Sequence, residues 1–259
     1  MTTSTGQGLC RELRNGVLEL TISRPERMNA VDMATMSELG AAVRDAGNDA
    51  AVRSILLTGA GSAFCTGADL AAAGPNPADP SVVMDVANAA VRAIVEVPVP
   101  VVAAVNGPAA GVGVSLALAA DLTYAAESAY FLLAFVGIGL MPDGGASLLV
   151  PAAIGRARAA EMALLGERVA AVDADRVGLV SRTLPDVELS EHARAVAARL
   201  ASGPRRALEL TKRSLNAVTL DALDRALERE KEGQAELLGS ADFAEGAAAM
   251  LQKRRPKFP

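Results

Sequence analysis

Tryptophan is absent from this 259-residue chain, which has two Tyr, five Phe, one His and two Cys. With a single histidine and two scattered thiols, a zinc site is not expected. A Ser-His-Asp hydrolase would have to be centred on His192, and no G-x-S-x-G elbow accompanies it. His192 itself stands in EHARAVAARL, a polar-edged helical run, and reads as a solvated helix residue. Cys10 and Cys65 make no disulfide framework, which suits a reducing compartment and a cytoplasmic location. The opening MTTSTGQG has no apolar core, so no signal peptide is expected. The apolar stretch Val97 to Ala120 is broken by Pro98, Pro100, Asn106, Gly107, Pro108, Gly111 and Gly113, so it reads as strand, loop and helix instead of a membrane span. Charge of one sign never accumulates into a long run, and the net charge of −5 argues against a nucleic-acid or anionic-membrane partner.

What is present is a large apolar inventory. At 51% hydrophobic and 21% charged, the chain can bury one large core, alone or with a helical appendage. The first half alternates short β-type runs with helical ones. Val17–Ile22, Ser54–Thr58, Pro100–Val105 and Leu122–Ala125 are predicted strands. Asp32–Ala46, with Asp32 as N-cap, Ser81–Val95 and Gly111–Ala120 are predicted helices. This alternation predicts an α/β core. After about Ser190 the pattern becomes helical: His192–Ala201, Pro204–Asn216, Leu220–Leu238, and Asp242–Leu251 with Asp242 as N-cap. Ala71–Ser81, AAAGPNPADPS, reads as a loop, either a lid or a plain surface connector.

Two glycine segments follow predicted strands: TGAGSAFCTGADL (Thr58–Leu70) and NGPAAGVGVSL (Asn106–Leu116). Each is expected to turn tightly into a short helix, the first near Ala68, and so to leave backbone N–H groups free. Neither is a dinucleotide fingerprint, because Phe64 and Leu116 stand where the third glycine belongs, and no phosphate-binding G-x-x-x-x-G-K-[ST] loop occurs. A pair of such turns suits an oxygen that gains negative charge, where loss of one donor typically costs about two to three powers of ten in rate.

FCTGADL (Phe64–Leu70) and AVNGPAAGVGVSLALAADL (Ala104–Leu122) resemble the two signature loops of the crotonase superfamily, the enoyl-CoA hydratases and isomerases. RPERMNAVD (Arg24–Asp32) resembles the family's first coenzyme A loop, and Ile138–Ala171 and KRRPKF (Lys253–Phe258) also match. The resemblance implies an α/β spiral of β-β-α units spanning 1–190 and a C-terminal helical region, 191–259, that builds a trimer or a dimer of trimers. It implies an acyl-CoA thioester as the partner, with no separate cofactor and no metal. The oxyanion donors would be the N–H groups of Ala68 and Val112. Thr66, Ala68 and Leu70 would line the adenine and pantetheine, and Arg27 and Lys253 would meet phosphates unless they are simply solvated charges. Met28, Asp69, Ser115 and Phe135 complete the implied binding set, although Asp69, like Asp121, also suits a structural role at the end of a helix or turn.

The chain departs from the hydratases of this family where their two glutamates would stand, because those places hold Ser115 and Phe135. Neither can transfer a proton as a carboxylate does. Asp143, in MPDGGAS, matches the position of the single base in some isomerases of the family. An apolar surround of Phe135, Ile138, Leu140 and Met141 would raise its pKa toward neutrality. The competing reading makes Asp143 the cap of a helix starting at Gly145. An isomerase using Asp143 is the leading expectation. A hydratase using Asp143 and an ordered water near Ser115, and a non-catalytic acyl-CoA binder, are the alternatives.

Overall fold

The computed structural model describes residues 2–5, 8–70 and 79–258. Strand β1 (Thr2–Thr5) pairs antiparallel with β2 (Leu9–Arg14), which turns back onto β3 (Val17–Ile22). Asn15 and Gly16 both adopt positive φ in that turn, the twist a two-residue hairpin requires. Beyond β3 the seven-stranded sheet is parallel through β4 (Ser54–Gly59), β5 (Val101–Val105), β7 (Leu122–Ala126) and β10 (Arg182–Leu184). Strand β5 reads VVAAV and is buried along its whole length, because a strand covered on both faces needs no polar alternation. A second sheet of three short strands, β6 (Ala109–Ala110), β8 (Tyr130–Leu132) and β9 (Val169–Ala170), stands beside it.

Helix α1 (Met33–Asn48) is capped as the sequence predicts: Asp32 accepts from Thr35 N–H at 2.8 Å. It packs on α2 (Pro80–Glu96), whose N-cap Asp79 accepts from Ser81 N–H. The possible lid therefore ends in an ordered cap, while its residues 71–78 lie outside the described residues. Helix α3 (Val112–Leu118) follows the second glycine turn. Helix α4 (Ala146–Leu165) bends at Gly155, and α5 (Ala171–Val177) leads into β10.

Helix α6 (Asp186–Ala201) starts well before the predicted His192, directly after Pro185, with Asp186 and Glu188 in the first turn where acids favour a helix start. It covers the main sheet through Leu189, Ala193 and Ala197, and Ser54 Oγ donates to Ala197 O at 2.8 Å. The 190/191 division thus falls inside a helix that belongs to the core layer. His192 is half-buried, edge-on to the Tyr124 ring at 4.7 Å, and not the solvated residue its polar neighbours suggested.

Helix α7 (Arg205–Thr219) is anchored by Lys212, whose Nζ lies 2.9 Å from Asp121 Oδ2 and donates to Ile94 O at 2.9 Å. Burial pushes the Asp121 carboxyl up and the Lys212 amine down, each against the pull of the other. Helix α8 (Leu223–Leu238) packs on α2 and α4, and α9 (Ala241–Leu251) packs on the 3-10 turn Ala134–Ile138. The cap of α9 is Ser240, which accepts from Phe243 N–H; the predicted Asp242 lies inside the helix. Among the described residues no helix is long and apolar enough to cross a membrane.

Candidate active site

The two glycine turns lie side by side. Ala110 N–H donates to Cys65 O at 2.9 Å, and Cys65 and Ala109 form a bridge. Gly67 (φ 100) and Gly111 (φ 54) are neighbours across the two turns. A Cβ on Gly67 would lie a tight 3.2 Å from Ala110 O, so contact and positive φ both favour glycine there, whereas at Gly111 the nearest atom, Gly67 Cα at 3.6 Å, leaves room and it is the positive φ that asks for glycine. At Gly113 a side chain would collide with Cys65 O.

Two asparagines hold the first turn. Asn29, fully buried at φ 56, donates to Ala60 O (2.8 Å) and Ala63 O (2.6 Å) and accepts from Arg24 N–H (2.9 Å). Asn106 accepts from Gly59 N–H (3.1 Å) and donates to Gly61 O (2.9 Å). Sequence reasoning passed over both, although each stands in a quoted motif. The available signal was an amide side chain beside a glycine turn, where backbone groups need partners.

Ala68 and Val112 follow Gly67 and Gly111 directly. Among the described residues neither N–H has an acceptor. For Val112 the cause is its place as first residue of α3. For Ala68 the expected short helix is not the cause. Ala68 is bridged to Val31, with Val31 N–H bound to Gly67 O and Asp69 N–H bound to Val31 O, and strand-like alternation turns the Ala68 N–H the other way.

The implied coenzyme A residues separate into two groups. Thr66 Oγ1 donates to Met28 O at 3.1 Å, which ties the first glycine turn to the Arg24–Asp32 segment, and Met28 and Ala68 are exposed. The Asp69 carboxylate, 5% exposed, is held by Arg24 at 3.0 Å, with Arg27 at 3.9 Å, so it braces this segment. Arg27 is half-exposed, and Leu70 is half-buried. Lys253 is exposed beyond α9, and no hydrogen bond or ion pair among the described residues joins it to Arg27 or to the glycine turns.

Asp143 sits in the turn before α4. A Cβ on its neighbour Gly144 would lie 3.2 Å from Val112 Cγ2 and 3.1 Å from Ser115 Cβ, so this turn rests on the first turns of α3. Ser115 is fully buried and its hydroxyl donates to Asp143 O at 2.8 Å. Phe135 is buried with its ring edge toward Gly111, and Leu140 is buried nearby in sequence. Asp143 Oδ2 accepts from Gln234 Nε2 at 2.7 Å, while Oδ1 is out of solvent contact and has no partner. Burial pushes the carboxyl up to about 7; the Gln234 hydrogen bond opposes this, and the Glu230 charge adds to it.

Asp143 is not the cap of α4. That helix begins after Gly145, and the N–H groups of Gly145 (2.6 Å) and Ser147 (2.8 Å) donate to the Glu230 carboxylate. Glu230 is fully buried, and its burial raises its own pKa against those two bonds. The cap comes from α8, 85 positions away from Gly145, where no local pattern could indicate it.

The enoyl-CoA hydratase/isomerase family model matches residues 12–259. A probable enoyl-CoA hydratase of Rhodobacter capsulatus is 46% identical over 250 residues, covering 95% of this chain and 96% of that protein. The 1,2-epoxyphenylacetyl-CoA isomerase of Escherichia coli is 38% identical over 251 residues, again covering 95% and 96%. The crystal structure of an enoyl-CoA hydratase from Mycobacterium avium subsp. paratuberculosis superposes with a TM-score of 0.92 at 46% identity, covering 98% of this chain and all of that one.

Proposed function

Since the chain belongs to the enoyl-CoA hydratase/isomerase family, the crotonase superfamily, we propose that it is an enoyl-CoA isomerase in which Asp143 is the single acid and base. A 3-enoyl thioester would lie along Met28, Thr66, Ala68 and Leu70, with Arg27 toward a phosphate and its carbonyl oxygen on the N–H groups of Ala68 and Val112. Asp143 takes a proton from C2, the C2–H electrons form C1=C2 and push the carbonyl pair onto the thioester oxygen beside the retained C3=C4 bond, and the two N–H groups hold the dienolate. The protonated carboxyl then returns the proton at C4, which gives the conjugated 2-enoyl thioester with no change of mass.

One observation carries this reading. Asp143 is half-buried, its carboxyl Oδ1 is out of solvent contact without a partner, and its neighbours at the hydratase positions offer no second acid or base. Ser115 is buried and its hydroxyl already donates to Asp143 O, which argues against an activated water there. Phe135 is apolar. A pKa near 7 suits a group that must both take and give a proton. The isomerase of Escherichia coli among the relatives is in keeping with isomerisation.

The test is incubation with 3-enoyl-, 2-enoyl- and epoxy-acyl-CoA thioesters, followed by ultraviolet absorbance and mass. The reading expects a new conjugated thioester at unchanged mass, lost in Asp143→Asn. Addition of water to crotonyl-CoA would instead favour a hydratase, and binding with no product a non-catalytic role. Trimeric or hexameric assembly belongs to the same reading. Exposed Leu215 and Val218 on α7 support it, and light scattering would measure it.

A further inference from the structure

Helix α8 reaches the turn that carries Asp143 through two side chains one helical turn apart, Glu230 and Gln234. Both are buried. Glu230 takes the N–H groups of Gly145 and Ser147 on the far side of Asp143. On the near side Gln234 Oε1 accepts from Met141 N–H at 3.3 Å. A backbone N–H can only donate, so the amide oxygen of Gln234 must face Met141 and its NH2 must face Asp143. The 2.7 Å contact to Asp143 Oδ2 is therefore an N–H donated to a carboxyl oxygen, in a fixed orientation.

We infer that Gln234 is a positioning residue: it keeps Asp143 Oδ2 as a permanent acceptor and so confines the transferred proton to the bare Oδ1. An oxygen that already receives an N–H has no reason to carry a proton. When Asp143 is protonated the hydrogen sits on Oδ1, and when it ionises Oδ1 is the oxygen free to take one. This division rests on the isomerase reading for its use in catalysis, but the hydrogen bond acts on Asp143 whatever reaction the site performs. Among the described residues the charged group that acts on Asp143 is Glu230 on α8, and α3 presents the Ser115 hydroxyl to its carbonyl.

The test uses the full-length protein and follows the carboxyl C=O infrared band that disappears in Asp143→Asn, titrated with pH in wild type, Gln234→Met and Gln234→Glu. Methionine keeps the length of glutamine but donates nothing, so the Asp143 midpoint should rise by about one pH unit or more. In the isomerase assay kcat at pH 7 should fall about fivefold or more while KM changes less than about twofold. A Gln234→Met protein with unaltered melting temperature, unaltered acyl-CoA affinity and an unaltered midpoint overturns the inference. If Gln234→Met does not fold, Gln234→Glu decides. Two facing carboxyls titrate as a coupled pair, so the band should follow a two-step curve, and a single step at the wild-type midpoint overturns the inference. Full isomerase activity in Asp143→Asn would end the functional proposal alone, because the infrared titration still reads Gln234.

Discussion

Replacing Asp143 by Asn should make the protein less stable in acid and more stable in base, and should abolish isomerisation. The folded carboxyl stays protonated up to about pH 7, whereas in the unfolded chain it ionises near 3.8. Between those values the folded state holds a proton that the unfolded state has released. Stability from this group is therefore full below about pH 4 and is lost as pH rises through about 7. The difference corresponds to about 4 kcal/mol. Asparagine has no such dependence. Its oxygen can accept from Gln234, but its NH2 then replaces the bare Oδ1, a buried unpaired donor that costs about 1–3 kcal/mol at every pH. The variant should thus be less stable than wild type near pH 4, and above pH 7 that order should reverse. Urea unfolding at fixed protein concentration measures this by far-ultraviolet circular dichroism, since the chain has no tryptophan to report by fluorescence. A variant-minus-wild-type difference that moves by less than about 1 kcal/mol across that range would refute the buried-acid argument.

Four other outcomes follow from the same geometry. In wild type, kcat/KM should rise about tenfold per pH unit below about 7 and level off above it, as a base with that pKa ionises; a profile flat from pH 5 to 9 contradicts Asp143 as base. Glu230→Gln removes a charge that pushes Asp143 up, so the same limb should move to lower pH, and movement upward would show that Glu230 acts some other way. Gly67→Ala forces a side chain into positive φ against Ala110 O, and should lower isomerisation by about 100-fold, the scale of one lost oxyanion donor, with acyl-CoA affinity measured alongside by calorimetry. Lys212→Met leaves Asp121 without its buried partner and should cost about 3 kcal/mol in urea unfolding, a loss that a value near zero would contradict.

The parts of the site that were legible in the sequence are those built from neighbours in the chain. Asp32 could be read as a cap because the group it accepts from, Thr35 N–H, is three residues on. Gly67 and Gly111 could be read as turn residues because the backbone demands them, and burial moves the Asp143 pKa upward, the direction expected of it. What was not legible is what closes across long separations. The first amide is free because Ala68 pairs with Val31, not because a helix starts there. The sequence leaves Asp143 balanced between base and cap, since P-D-G-G suits a turn either way. Only the folded chain brings Glu230 onto Gly145 and Ser147, and by filling the capping role it leaves the Asp143 carboxyl facing Gln234 on one oxygen and nothing on the other. The helices that follow the α/β core looked from their amphipathic pattern like an appendage. Two of their side chains instead hold the turn that carries Asp143, so α8 belongs to the candidate site as much as the glycine turns do. A truncation before α8 should accordingly leave Asp143 without its donor and α4 without its cap, and the proton-transfer geometry proposed here would have no support.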